Sequence, residues 1–100
     1  MSEILIELHA RDPGKNRHRA WRVLAGADLF GLWTAHVNFG RIGTVGRTMR
    51  HEFTCEAAAI AFVRRGLRRR ATAFRRLGVP YRPVEASSAA EHLLTLTGLR

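Results

Sequence analysis

Three clusters of positive charge carry the chemistry open to this chain. The first is the run Lys15, Arg17, His18 and Arg19; the second is Arg41, Arg47 and Arg50 with His36 and His51 among them; the third is Arg64, Arg65, Arg68, Arg69, Arg70, Arg75 and Arg76. Sixteen of the seventeen basic residues are arginine, whose planar fork pairs a phosphate through two parallel N–H bonds. A solvated surface usually interleaves both signs to gain i,i+4 pairs. Here no acidic residue lies between Asp28 and Glu52, and none between Glu56 and Glu85. A compositional arginine bias is the alternative account of the count, and the placement of the charges weighs against it. With a net charge of +9, the chain attracts polyanions from a distance.

Catalytic constellations are not evident. His9, His18, His36, His51 and His92 are scattered without metal-ligand spacing, and Cys55 is the single cysteine, so neither a zinc site nor an internal disulfide is expected. Cys55 reads as a buried residue in the first turn of a helix, and a lone thiol points to a cytoplasmic setting. Gly40, Gly43 and Gly46 are followed by no Gly-Lys-Ser/Thr, which excludes a P-loop. Asp12, Asp28, Glu52 and Glu56 form no acid/base pair. The expectation is a binding protein without enzymatic activity, cofactor or metal.

The elements that must position these groups follow from hydrophobic periodicity. Ile4, Ile6 and Leu8 alternate with Leu5, Glu7 and His9, which reads as a strand. Pro13-Gly14 among polar residues marks a turn, so the first basic cluster sits in and after that turn. Trp21, Val23 and Ala25 alternate in a second strand. Trp33, Ala35, Val37 and Phe39 share one face of a third, and a glycine-shaped connection leads to a fourth over Thr48 to Phe53. The period then changes to about 3.6: Ala57, Ile60, Val63, Leu67, Ala71 and Phe74 form a stripe on a helix over roughly 55 to 76, with Thr54 as N-cap, Leu77-Gly78-Val79-Pro80 as its stop and a loosening at Gly66. The arginines from 64 to 76 avoid the centre of the stripe and form an outward cationic ridge. Phe62 lies opposite the stripe without an assigned role.

Tyr81 to Glu85 reads as an extended linker. Ser88 and Glu91 are spaced as the capping box of a short final helix bearing Leu93, Leu94 and Leu96; this tail either packs on the domain or meets a protein partner. The start, Met1-Ser2-Glu3, lacks the basic region of a secretory leader, and no apolar run reaches eighteen residues. A basic amphipathic helix can lie on anionic lipid, but this one needs its apolar face for the core, so no membrane contact is expected.

The residues Trp33-Thr34-Ala35-His36-Val37-Asn38-Phe39-Gly40-Arg41-Ile42-Gly43-Thr44-Val45-Gly46-Arg47 resemble the signature of the WGR domain, named for a Trp-Gly-Arg triplet followed by an aliphatic residue and glycine. A strand bearing Trp21 before it, a Leu29-Phe30-Gly31-Leu32-Trp33 entry similar to that of bacterial members, and a following helix with Ala57, Ala58 and Phe62 extend the likeness over roughly residues 4 to 82. In poly(ADP-ribose) polymerases this domain binds DNA at strand breaks, its triplet Trp stacking on a terminal sugar while basic residues hold phosphates. The resemblance implies that Phe39 is the stacking residue, that Gly40 and Arg41 complete the triplet, and that Arg17, His18 and Arg19 hold phosphate with Arg47 beside them. Phe39 departs from the triplet: it keeps an aromatic face but lacks the indole N–H. Residue alternation also allows plain core packing for Phe39, and core packing is the favoured reading for Trp21 and Trp33.

The sequence therefore predicts an α+β fold, an antiparallel sheet of about four strands packed on one long helix with a short C-terminal helix. Residues 1–82 form the WGR-like domain and 83–100 the linker and final helix. The expected nucleic-acid-binding residues are Arg17, His18, Arg19, Phe39, Gly40, Arg41, Arg47, Arg65 and Arg69, and the expected partner is DNA, duplex or ends, bound with little sequence preference. RNA binding, or an adaptor role through the C-terminal tail, is the alternative.

Overall fold

Alternation in the first half of the chain builds one antiparallel sheet. The computed structural model describes residues 3–100; Met1 and Ser2, which enter the reading against a leader, lie outside them. The strands are β1 (Ile4–Asp12), β2 (Arg17–Ala27), β3 (Trp33–Arg41), β4 (Arg47–Phe53) and β5 (Arg82–Ala86), and the helices are α1 (Glu56–Ala71), α2 (Phe74–Leu77) and α3 (Ser88–Leu96). Strand order is β4-β3-β2-β1-β5, so β1 to β4 form a meander and β5 returns to pair with β1. Among the described residues the sheet has five strands rather than about four.

Residues 82–86, expected as a linker, are the added strand. Pro83 disguises it in the sequence, yet proline is tolerated on an edge strand where its missing N–H faces no neighbour. A register irregularity between Glu7 and Leu8 accommodates the pairing. Arg22 Nη1 donates to Glu7 Oε1 at 2.9 Å and to Glu85 Oε1 at 3.4 Å, tying β5 to β1 and β2 across the face away from the helices.

On the other face, Ile6, Leu8, Trp21, Val23, Ala25, Ala35 and Val37 are buried, joined by Val63 and Leu67 of α1 and Ala90, Leu93 and Leu94 of α3 in one cluster. Alternate strand positions share a face, which is why these residues meet. Burying a leucine such as Leu67 contributes about 1.5–3 kcal/mol relative to exposure. Helix α1 contacts β2, β3 and β4, while α3 contacts β1. The tail thus packs on the domain. Trp21 and Trp33 are both buried, as expected.

The helix follows the expected stripe at its centre and departs at both ends. Its buried residues are Ala59, Val63 and Leu67, while Ala57 is exposed. Gly66 does not loosen it: α1 runs unbroken through that position, where a Cβ would lie 2.9 Å from Cζ2 of Trp21. Glycine is what lets the indole lie against the helix. The bend comes instead at Thr72 and Ala73, where Thr72 Oγ1 donates back to the carbonyl of Arg69 at 3.2 Å and Ala73 N–H bonds three residues back to Arg70. Such back-bonding by a hydroxyl bends helices. As a result Phe74 leaves the stripe and is 59% exposed.

Three local expectations are corrected. The N-cap of α1 is Cys55 rather than Thr54, and it makes no side-chain cap bond; lying just before the first turn and off the buried stripe, Cys55 is exposed rather than buried. The N-cap of α3 is Ser87 rather than Ser88. Its hydroxyl accepts from Leu5 N–H at 3.0 Å and donates to the Glu3 carbonyl at 2.9 Å, so it anchors α3 to β1 and no capping box with Glu91 forms.

Candidate nucleic-acid interface

In a meander, alternate connections fall at the same end of the sheet, so the β1–β2 turn and the β3–β4 hairpin are neighbours. Register places Arg19 opposite Arg41 and Ala20 opposite Gly40. Asn16, in the left-handed conformation after the Pro13–Lys15 turn, accepts at Oδ1 from Arg41 Nη2 at 3.2 Å. Ile42 N–H donates to the His18 carbonyl at 2.8 Å. Two segments separated by some twenty residues are in this way fastened into one basic end.

The hairpin's shape depends on glycine at Gly40 and Gly46. A Cβ at Gly40 would lie 2.9 Å from Gly46 Cα, and a Cβ at Gly46, whose φ is +68°, would lie 2.6 Å from the Phe39 carbonyl oxygen. Neither neighbour is a side-chain tip that could move away. Asn38 Nδ2 pins the loop by donating to the Val45 carbonyl and to Thr48 Oγ1, at 3.0 and 2.9 Å.

Between turn, hairpin and the end of α1 lies a cleft of about 470 Å³. Six expected residues line it: Arg17, His18, Arg19, Phe39, Gly40 and Arg41. Lys15, Asn16, Ala20, Arg70 and Tyr81 complete it, which gives five Lys or Arg side chains and no carboxylate. Among the described residues the cationic partners in ion pairs are Arg22, Arg50 and Arg100, and none of these lines the cleft. The Arg17 Nε–H is buried and meets no acceptor. The Arg70 guanidinium lies 4.8 Å over the Trp21 ring. Burial lowers its pKa from the ordinary arginine value, and Tyr81 opposes this. The cation–π contact offsets part of that desolvation.

Arg65 and Arg69 do not reach this cleft. They line an adjoining slot of about 280 Å³ with Trp21, Val37, Met49 and Phe62. Phe39 and Arg70 belong to the linings of both. Phe39 lies opposite Trp21 on the helix-facing side of the sheet and is 36% exposed, so it is neither plain core nor fully free. Arg47 stands opposite Phe39 at the start of β4 and lines neither space. The expected ridge divides further: Arg76 is spent on the Arg69 carbonyl at 2.7 Å, and Arg64 lines a cleft between α1 and α3. Phe62, left without a role by the sequence, packs its ring 4.5 Å from His51 and 5.3 Å from Phe53.

Sequence reasoning placed Arg70 on the ridge without singling it out, and it read Tyr81 only as linker. A signal for Arg70 existed in the i,i+4 spacing from Gly66, where a missing side chain invites an aromatic ring beneath the next turn; Tyr81 had none beyond its position just after the helix stop. Among the described residues, no helix is long and apolar enough to cross a membrane, and no group of three or more His, Cys, Asp or Glu could hold a metal ion.

No curated protein matches the chain. The family model of the WGR domain matches residues 5–75, a span that begins in β1 and ends in α2 and so holds nearly all of the cleft. In poly(ADP-ribose) polymerases that domain is a module of the nucleic-acid-binding type and is not itself catalytic. With a match over most of its length, this chain belongs to the WGR domain family.

Proposed function

We propose that the chain binds DNA through backbone phosphates at the basic end of its sheet, with little preference for base sequence and without catalysis. The observation that carries this is the cleft itself, in which five cationic side chains converge with no carboxylate among them. A cluster of like charges raises the energy of the folded state unless a polyanion offsets it. Arginine and lysine directed at phosphates fix position and orientation, whereas base-edge contacts carry sequence. Arg17, His18, Arg19 and Arg41 hold the backbone in this reading, with Gly40 keeping the hairpin close and Phe39 offering its ring to a terminal sugar. Arg47, Arg65 and Arg69 extend the positive surface outward.

The test is fluorescence polarisation with blunt, nicked and single-stranded DNA beside matched RNA, over a range of salt. If all five cations of the cleft each offset one phosphate, log K falls with log salt at a slope of about −4.5, which is about 500-fold between 50 and 200 mM. The double change Arg17→Gln with Arg41→Gln lowers the slope by about 2. No binding at low salt, or an unaltered slope in the variant, overturns the proposal; tighter binding of RNA than DNA moves it to RNA.

A further inference from the structure

We infer that the slot beside the cationic cleft receives one unpaired nucleobase of the bound strand, held by stacking and not by hydrogen-bond readout. This rests on the nucleic-acid reading above and names the ligand feature that reading leaves open.

The sheet contributes Trp21, Val37, Phe39, Met49 and His51, and α1 contributes Phe62 and Gly66. Its volume of about 280 Å³ stands at the lower limit of small-ligand pockets, about 300 Å³, so it admits a single ring system rather than a whole cofactor. On α1 the slot is bordered by two exposed cations, Arg65 and Arg69, while the Trp21 indole fills the space beside Gly66, and Met49 at its rim is 41% exposed. Apolar walls are therefore left open under a charged mouth.

The charges select the occupant. Arg70 stands where slot and cleft meet, and Arg65 and Arg69 line the slot along the helix. A ring flanked by negative charge on both sides suits this, and a nucleotide within a strand is such a ligand, whereas a fatty acid carries charge at one end only. The lining offers no carboxylate, amide or hydroxyl side chain, and apart from His51 its polar groups, Arg65, Arg69, Arg70 and the Trp21 indole, only donate, so the aromatic and thioether faces, which suit any base, hold the ring in this inference. Stacking on Phe62, Phe39 and the Met49 thioether is tolerant of base identity. Continuity through Phe39 lets a strand whose phosphates occupy the cleft place its next base in the slot.

The experiment compares a short blunt duplex with the same duplex carrying a one-nucleotide overhang of 2-aminopurine, using the full chain and Met49→Trp, which fills the slot from an exposed edge-strand position. The expected result is about tenfold tighter binding of the overhang by the unaltered protein, quenching of the 2-aminopurine, and loss of both in Met49→Trp with blunt-duplex affinity unchanged. Equal affinity for the two duplexes with no quenching, or a preference that survives Met49→Trp, overturns the inference while salt-dependent duplex binding still stands. Absence of binding to either duplex overturns the phosphate reading as well.

Discussion

Replacing Gly66 by alanine tests how the fold and the site share one contact. On an open helix surface the change stabilises by about 0.8–1 kcal/mol, because glycine is the poorer helix former. Here the new Cβ meets Cζ2 of Trp21 at 2.9 Å and Cη2 at 3.2 Å, both atoms of a rigid ring buried between sheet and helix. Overpacking of this kind costs about 1–3 kcal/mol, so the net effect is a loss of up to about 2 kcal/mol, or a midpoint lowered by about 4–8 °C per kcal/mol in a domain this size. The ring that must shift also carries the Arg70 guanidinium, so phosphate affinity falls with stability. In a Trp21→Phe background, where the outer ring of the indole is gone, Gly66→Ala reverses sign and stabilises. Urea denaturation followed by circular dichroism measures all four proteins of the cycle. A Gly66→Ala protein more stable than the parent, or equal effects in both backgrounds, refutes the packing argument.

Three further outcomes are expected. His9, then Arg22, hold the Glu7 carboxyl below its ordinary pKa against a raising effect of burial; a lowered folded value means the contribution to stability is present above the ordinary carboxylate range, about pH 4–5, and is lost as pH falls through the folded value. Glu7→Gln accordingly costs under about 1 kcal/mol at neutral pH and flattens the acid limb of a stability–pH curve. Gly46→Ala forces a left-handed conformation worth about 1–2 kcal/mol and drives Cβ into the Phe39 carbonyl, so both stability in denaturant and DNA affinity decrease. Cys55, exposed at the start of α1, reacts stoichiometrically with a disulfide reagent in the native state without denaturant.

Most of the sheet was legible because alternation is a strong signal when one face is buried: the inward set of β1, β2 and β3 is apolar at every second position, and a slip of one residue would reverse it. β5 was not legible, since five residues containing Pro83 carry no alternation and are fixed by pairing with β1 and by the Arg22 bond to Glu85. The ends of the helical stripe were misplaced for a related reason. Periodicity says which residues share a face, but the docking rotation, set here by Gly66 on Trp21, decides which of them is deepest. The grouping of Arg17, His18 and Arg19 with Phe39, Gly40 and Arg41 came from the resemblance to the WGR signature, and the β2–β3 register brings them to one cleft. Arg70 and Tyr81 required the third dimension, because each reaches the cleft from an element whose orientation depends on packing.

The distribution of the acids explains how so basic a chain keeps its fold while leaving the cleft uncompensated. Glu7 and Glu85 share Arg22, Glu52 holds Arg50, and Glu91 holds Arg100, all away from the cleft, and Asp28 is occupied with the Phe30 and Leu32 amides in the turn at the opposite end of the sheet. These exposed pairs are individually worth little. Their consequence is positional: these five carboxylates are committed along the outer face and the far end, and Asp12, which stands opposite Arg17 at the end of β1, does not line the cleft and forms no ion pair among the described residues with Lys15, Arg17, Arg19, Arg41 or Arg70. Repulsion is thereby concentrated at one end of the sheet, where the Ile42 to His18 backbone bond and the Asn38 amide hold the hairpin independently of charge and Arg41 ties it to Asn16. The apolar cluster beneath α1 and α3 holds the basic end in place, and a polyanion entering the cleft meets guanidinium groups that need not first release a carboxylate.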